Sequence, residues 1–333
     1  MKRVRLLAGV AISVALFWYL LSTVDLRELG RELARTQWGW ALLSAALGPA
    51  GLWARGRRWG YLFPPGERPP GILPGMMIGY MANNVLPLRA GEVVRIYVVA
   101  RRLRAATGGT ASESFWRVAA TLAVERVLDG LALLLILGAL VLVIPVPEIF
   151  QWAAGTLLLF DVVVIVLLAA VTRRPEAARR HMLRWTARWP TLARISAGAF
   201  DVGLRGLEGV RTRAHLVPMA VWTVVVWLCP ALSAWAMLRA VHLDLPFVAG
   251  WTVLAFVGLG IAVPSAPGYV GVWHAAAVLA VTIFGVPPPT AIAYALLYHA
   301  GQFVPVTLLG WLFLLREHMS LGEAARAAEH TAA

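Results

Sequence analysis

Apolar residues along this chain gather in blocks rather than alternating. The blocks span 6–24, 38–53, 118–144, 150–171, 216–238 and 291–315. A helix needs about 20 apolar residues to cross a hydrocarbon layer of roughly 30 Å, which these blocks supply or approach. The period-two alternation of a membrane barrel is missing, so the pattern predicts an all-α, polytopic membrane protein. Two further segments are apolar at both ends and broken in the middle. Residues 71–102, GILPGMMIGYMANNVLPLRAGEVVRIYVVARR, are interrupted by Pro87 and Gly91, and residues 245–285 by Pro264, Pro267 and Gly268. Each reads as a hairpin that enters the membrane and turns back. The expected architecture is about six spanning helices plus two broken re-entrant hairpins.

The two breaks share a spacing. PLRAG begins at Pro87 and PSAPG at Pro264, and the prolines (264 − 87) and the closing glycines (268 − 91) are separated by the same offset. That offset also carries the helix at Trp38 onto that at His215 and the helix at Phe115 onto that at Ile292. The expectation is one integral membrane domain, 1–333, with a first repeat at 38–145 and a second, inverted repeat at 215–315, as in secondary transporters.

Composition adds to this picture. Of 333 residues 60% are hydrophobic and 14% charged, and mean hydropathy is +0.73. Net charge is +13, and Lys2 is the only lysine. No soluble basic domain is present, which argues against a nucleic-acid partner. Arginine placement orients the helices: the basic start, RGRRW at 55–59 and the clusters at 101–104 and 173–213 fall on one side, so both termini are expected to be cytoplasmic in a multi-pass protein of the cell (inner or plasma) membrane. The N-terminal run lacks a small-residue cleavage site and reads as a retained helix. Segment 173–213 interleaves arginine with Trp185, Trp189 and Phe200, the composition of cytoplasmic interfacial helices, although a plain solvated connector fits as well. Residues 316–333 read as a cytoplasmic tail. Cys229 is the single cysteine, and no metal site or cofactor is expected.

Non-helical backbone at membrane depth is tolerated only against protein or a water-filled cavity. Breakers and polar residues therefore coincide where a cavity is expected. A helix starting after Gly91 or Gly268 would present free amides to an anion, and Arg89, Arg95 and Arg126 suit bidentate phosphate contacts. Asn83, Asn84, Glu92, Ser265, His274 and Gln302 complete the candidate substrate-binding set. Glu92, Glu125, Asp129 and His299 are candidates for proton exchange, since charges at such depth usually face a bundle interior or a substrate path. Against this stands the plainer reading that Arg126 and Asp129 pair to fix helix packing, and that each histidine is a satisfied core residue.

The motifs NNVLPLRAGEVVR (83–95) and PSAPGYVGVWHAA (264–276) resemble the lysylphosphatidylglycerol synthase transmembrane family, the flippase-like portion of the multiple peptide resistance factor, over nearly the whole chain. Pro87, Arg89, Gly91 and Glu92 match the first signature; Pro264, Pro267, Gly268 and Gly271 match the second. The resemblance implies movement of an anionic lipid, a phospholipid or a polyprenyl-phosphate carrier, between leaflets. Full-length synthases carry a soluble aminoacyl-transferase domain, which 316–333 is too short to supply, so synthase activity is not expected. Two alternatives remain: a membrane enzyme acting on a lipid-linked substrate, and a subunit that presents lipid to a partner lipid-modifying enzyme. Under the transport reading, Arg89→Ala or Glu125→Gln is expected to abolish leaflet exchange and leave the fold intact.

Overall fold

A computed structural model of the chain describes residues 26–86, 90–145, 147–189, 212–262 and 265–320, together with positions 18, 200 and 322. Among these residues every regular element is helical. The expected first helix at 6–24, the breaks at Pro87, Arg89 and Pro264, and most of 190–211 and of the tail lie outside the described residues.

A short helix, α1 (Leu26–Ala34), precedes α2 (Trp38–Gly60). The first hairpin consists of α3 (Ile72–Val85) and α4 (Gly91–Thr107). Its first arm stops where the sequence requires: Leu86 is extended, with φ −93° and ψ 146°, the backbone that a following proline imposes. Gly108, with φ 72°, ends α4, and Thr110 caps α5 (Ala111–Val141) by accepting a hydrogen bond from the Glu113 amide at 3.2 Å. There follow α6 (Glu148–Arg173), α7 (Pro175–Thr186) and α8 (Arg213–Ala240). The second hairpin is α9 (Val248–Gly260) and α10 (Val272–Thr282), joined through a 3₁₀ turn at Pro267–Tyr269, and α11 (Pro288–Arg316) opens on a run of prolines suited to a first helical turn.

The elements recur at the spacing read from the breaks. Shifted by that offset, the start of α5 at Ala111 falls on the start of α11 at Pro288, and α3 falls on 249–262 against Val248–Gly260 for α9. The leading helices α2 and α8 pack on each other antiparallel: Trp40 meets Trp235, Ser44 meets Ser233, Trp53 meets Trp222, and Tyr61 meets His215. One apolar core, around Trp59, Met76, Val99 and Phe115, lies mainly in the first half, and a larger one, around Leu238, Phe256 and Tyr294, packs the second half against Leu133, Leu137 and Leu140 of α5 and Phe150 of α6.

Among the described residues, three helices are long and apolar enough to cross a membrane: the 150–167 window of α6 and the whole of α8 and α11, with mean hydropathies of 2.0, 1.9 and 1.4. At 1.5 Å per residue, α2 and α5 reach about 34 and about 46 Å, also enough for a bilayer. Their hydropathy is lowered by arginine and carboxylate side chains that the fold turns toward one another. Leu158, Val163, Val224, Leu308 and Leu312 lie exposed on the outer faces of α6, α8 and α11. Such a broad apolar exterior belongs against acyl chains rather than water. The chain is an all-α polytopic membrane protein.

Candidate functional site

Glu125, at mid-length in α5 and completely buried, is the hub of a charge cluster. Its Oε1 lies 3.5 Å from Arg55 Nη1, 3.9 Å from Arg58 Nη2 and 3.5 Å from Arg126 Nη2, and accepts from Arg95 Nη1 at 3.3 Å. Arg95 Nη2 pairs directly with Oε2. One turn on, Asp129 accepts from Arg55 and, at 2.5 Å, from Arg58 Nη2. Glu92 stands 3.5 Å from Arg126. The spacing of Glu125 and Asp129 puts both on one face of α5, and that of Arg55 and Arg58 does the same on α2. Arg95 is further held by Trp59, whose ring lies 3.8 Å below the guanidinium carbon and whose Nε1–H donates to Thr121 at 3.0 Å.

Four guanidiniums face three carboxylates here, leaving one positive charge in surplus. Their donors are not exhausted: among the described residues, Nε and Nη1 of Arg58, Nε of Arg95, and Nε and Nη2 of Arg126 are buried without a hydrogen-bond partner. A buried cation with spare donors sits in a costly state that an incoming anion relieves.

Beside the cluster lies a cavity of about 210 Å³, into which Arg55 protrudes. Both halves build it. Gly48 and Gly51 of α2 and Tyr80, Asn83 and Asn84 of α3 line one side. Gly268 and Tyr269 of the second break, Trp273 of α10, and His299 and Gln302 of α11 line the other. The arms touch here, since a Cβ on Gly268 would lie 3.3 Å from the Asn84 carbonyl oxygen. The second break is tightly turned: Gly268, Tyr269 and Gly271 have φ of 69°, 59° and 86°, and Tyr269 is a non-glycine residue in the left-handed region.

The polar lining is largely engaged in protein hydrogen bonds. Asn83 Oδ1 accepts from the Gly91 amide at 2.9 Å, so the first amide of α4, expected to be free for an anion, is capped by a side chain. Asn84 donates to Thr307 at 2.8 Å, tying α3 to α11. Gln302 donates to the Ser44 carbonyl at 3.2 Å and to Ser233 Oγ at 2.8 Å. The two histidines form a directed chain. The Gly271 amide donates to His274 Nδ1 at 3.2 Å, His274 Nε2 lies 3.2 Å from His299 Nδ1, and His299 Nε2 lies 2.8 Å from the Gly268 carbonyl oxygen. With an amide donor at one end and a carbonyl acceptor at the other, both rings fit as neutral Nε2–H tautomers.

The structure thus brings Glu92, Arg95, Glu125, Arg126 and Asp129 into one cluster, and Asn83, Asn84, Gly268, His299 and Gln302 onto one cavity, with His274 bonded behind them. Ser265 is half-buried in the second break and does not line the cavity. Gln302, at the position equivalent to Glu125 by the repeat offset, binds serines rather than arginines, so the two halves are chemically unlike. Arg55 and Arg58 escape recognition as site residues in the sequence, because RGRRW reads as flanking positive charge, whereas Arg58 is fully buried. Their helical spacing, and the need of Glu125 and Asp129 for more than one arginine, are the signals that could have found them.

The family described as lysylphosphatidylglycerol synthase TM region matches residues 6–310. No curated protein and no solved structure gives a significant match to the chain.

Proposed function

Because the chain belongs to the lysylphosphatidylglycerol synthase transmembrane-region family, whose members are membrane proteins acting on lipids, we propose that it carries an anionic lipid, a phospholipid or a polyprenyl-phosphate-linked one, between leaflets. The observation that carries this reading is Arg55: one side chain both lines the cavity shared by the two halves and belongs to a cluster with a surplus positive charge and unused donors. A phosphodiester entering the cavity meets that surplus, and the apolar exterior offers its acyl chains a path along the helices. On this reading the halves are inverted copies around the cavity, the protein sits in the cytoplasmic membrane with both termini cytoplasmic, and the tight second break and the histidine chain hold one wall in shape.

The test is leaflet exchange of a fluorescent phosphatidylglycerol in vesicles carrying the purified protein, read by quenching from outside. The wild type is expected to speed exchange over protein-free vesicles. Arg55→Gln, which removes the cavity-facing charge and leaves Arg58 on Asp129, is expected to slow it about tenfold, the effect of losing one charge-assisted contact worth about 1.4 kcal/mol or somewhat more. Wild-type vesicles that exchange lipid no faster than empty ones sink the proposal. Chemical conversion of the lipid, seen by mass spectrometry, would instead favour a membrane enzyme, and tight binding without exchange a subunit serving a partner lipid-modifying enzyme.

A further inference from the structure

One ionisable side chain stands apart from the cluster. Asp161 lies on α6, two to three residues and about 4 Å from the middle of the 150–167 membrane window. It is fully buried, and among the described residues neither carboxyl oxygen has a hydrogen-bond partner. Its neighbours on α6, Leu159, Phe160, Val162 and Val163, are exposed on the outer face, so Asp161 lies on the inward face of a stretch, 157–171, that is otherwise apolar. What it faces is Gly130 of α5. A Cβ at that glycine would collide with both carboxyl oxygens and lie 2.8 Å from Asp161 Cγ. Glycine at 130 leaves the recess that the carboxyl occupies, directly after Asp129 of the charge cluster.

Among the described residues, the surroundings supply no counter-ion. On α5, the ionisable residues within a turn of Gly130 are Arg126 and Asp129, both engaged in the cluster, and Glu125 lies just beyond. Helix α9, which also packs on α6 through Phe256 stacked on Phe150, carries no ionisable side chain. The ionisable residues of α7, Glu176, Arg179, Arg180, His181 and Arg184, begin about 20 Å along the chain axis beyond Asp161, and α6 itself adds Glu148 and Arg173 at its two ends. An ionised carboxylate so placed is untenable at mid-bilayer, whereas the neutral acid is tolerated.

We infer that Asp161, seated against Gly130 beside the charge cluster, is the proton-binding site that couples lipid movement to a proton gradient. The inference rests on the transport reading above and adds its energy source. The proton is held on an Asp161 carboxyl oxygen in the conformation seen here. Movement of α6 along α5 would bring the carboxyl toward Arg126 or to water, where it releases the proton and becomes the carboxylate; no other bond is made or broken. The carboxylates of Glu125 and Asp129 suit this role less, because each is held by two or more arginines.

Asp161→Asn is the decisive variant, since the amide has the shape of the neutral acid and fits the same recess. In vesicles with a one-unit pH difference across the membrane, the wild type is expected to concentrate labelled phosphatidylglycerol in one leaflet by up to about tenfold for one proton per lipid. Asp161→Asn is expected to exchange lipid without that asymmetry, and Asp161→Glu to restore part of it. An Asn variant that responds to the gradient as the wild type does overturns the proposal. Infrared spectroscopy of the membrane-embedded protein provides a readout independent of transport: the carbonyl band of a protonated carboxyl should be present at neutral pH and missing in Asp161→Asn. Absence of that band in the wild type overturns proton occupancy. If the band is present but wild-type vesicles move no lipid, occupancy stands while the transport reading, and coupling with it, falls.

Discussion

At the scale of single residues, the cluster around Glu125 makes an ordered prediction about stability. Glu125 is completely buried and faces four arginines, Asp129 faces three, and Glu92, with its side chain 34% exposed, faces Arg126 alone at 3.5 Å. Removing one member of a buried ion network leaves charge uncompensated and costs about 3–5 kcal/mol, whereas losing a solvent-reached pair costs about 0–1 kcal/mol. Glu125→Gln is therefore expected to lower stability most, Asp129→Asn next, and Glu92→Gln little, in chemical denaturation of the detergent-solubilised protein; equal effects for Glu125 and Glu92 would contradict the cluster. Glu125→Gln, expected from the sequence to leave the fold intact, is on this argument expected to weaken it, and the same denaturation measurement decides between the two. The acidic residues were legible in the sequence, because charges in an apolar span announce themselves. Their partners Arg55 and Arg58, on a different helix and far earlier in the chain, were not, because a basic run at a helix end has the same composition whether it flanks a membrane or folds into a bundle.

At the scale of elements, the turn signals were the most readable part of the chain. The break read at Pro87 falls just past the end of α3 at Val85, where Leu86 is extended, and the offset between the two breaks aligns helix starts at Ala111 and Pro288 to the residue. Helix ends that rest on long-range pairing were less readable: the helix at Trp38 runs to Gly60 rather than stopping at 53, since the arginines after 53 are neutralised by α5 instead of water. Close helix approach was equally invisible, because a glycine in a membrane span has no local meaning until its neighbour is known. Gly310 is such a case. A Cβ there would lie 2.6 Å from the Met77 carbonyl oxygen and collide with Met81, where α11 lies on α3. Gly310→Ala is expected to cost about 1–3 kcal/mol through overpacking. Gly138, in α5, has nothing within 4 Å among the described residues, and Gly138→Ala is expected to stabilise by about 0.4–1 kcal/mol. Thermal denaturation of both variants should move in opposite directions, and a shared direction would mean that α3 and α11 are not in this contact.

At the scale of the whole molecule, the crossing of α2 and α8 decides how the halves can move. Gly51 meets Cys229 there: a Cβ at 51 would lie 3.3 Å from the cysteine Cβ. The separation of these two positions (229 − 51) exceeds the repeat offset (264 − 87) by one, so the crossing joins equivalent positions of the two halves to within a single residue. If the halves are inverted copies that exchange roles during transport, as proposed, this contact is the pivot and stays put while the rims separate. The cysteine supplies its own test. Gly51→Cys places two Cβ atoms slightly inside the about 3.5–4.5 Å of natural disulfides, and oxidation should join them, consuming both thiols within one chain. Comparing oxidised and reduced protein holds the bulk at position 51 constant and isolates the tether. A pivot tolerates a tether, so leaflet exchange should be nearly the same in the two forms. A rate that collapses on oxidation and returns with reductant would show α2 and α8 sliding at their crossing, and with that the rocking of two halves around a shared cavity would have to be replaced by a shear of one helix against the other.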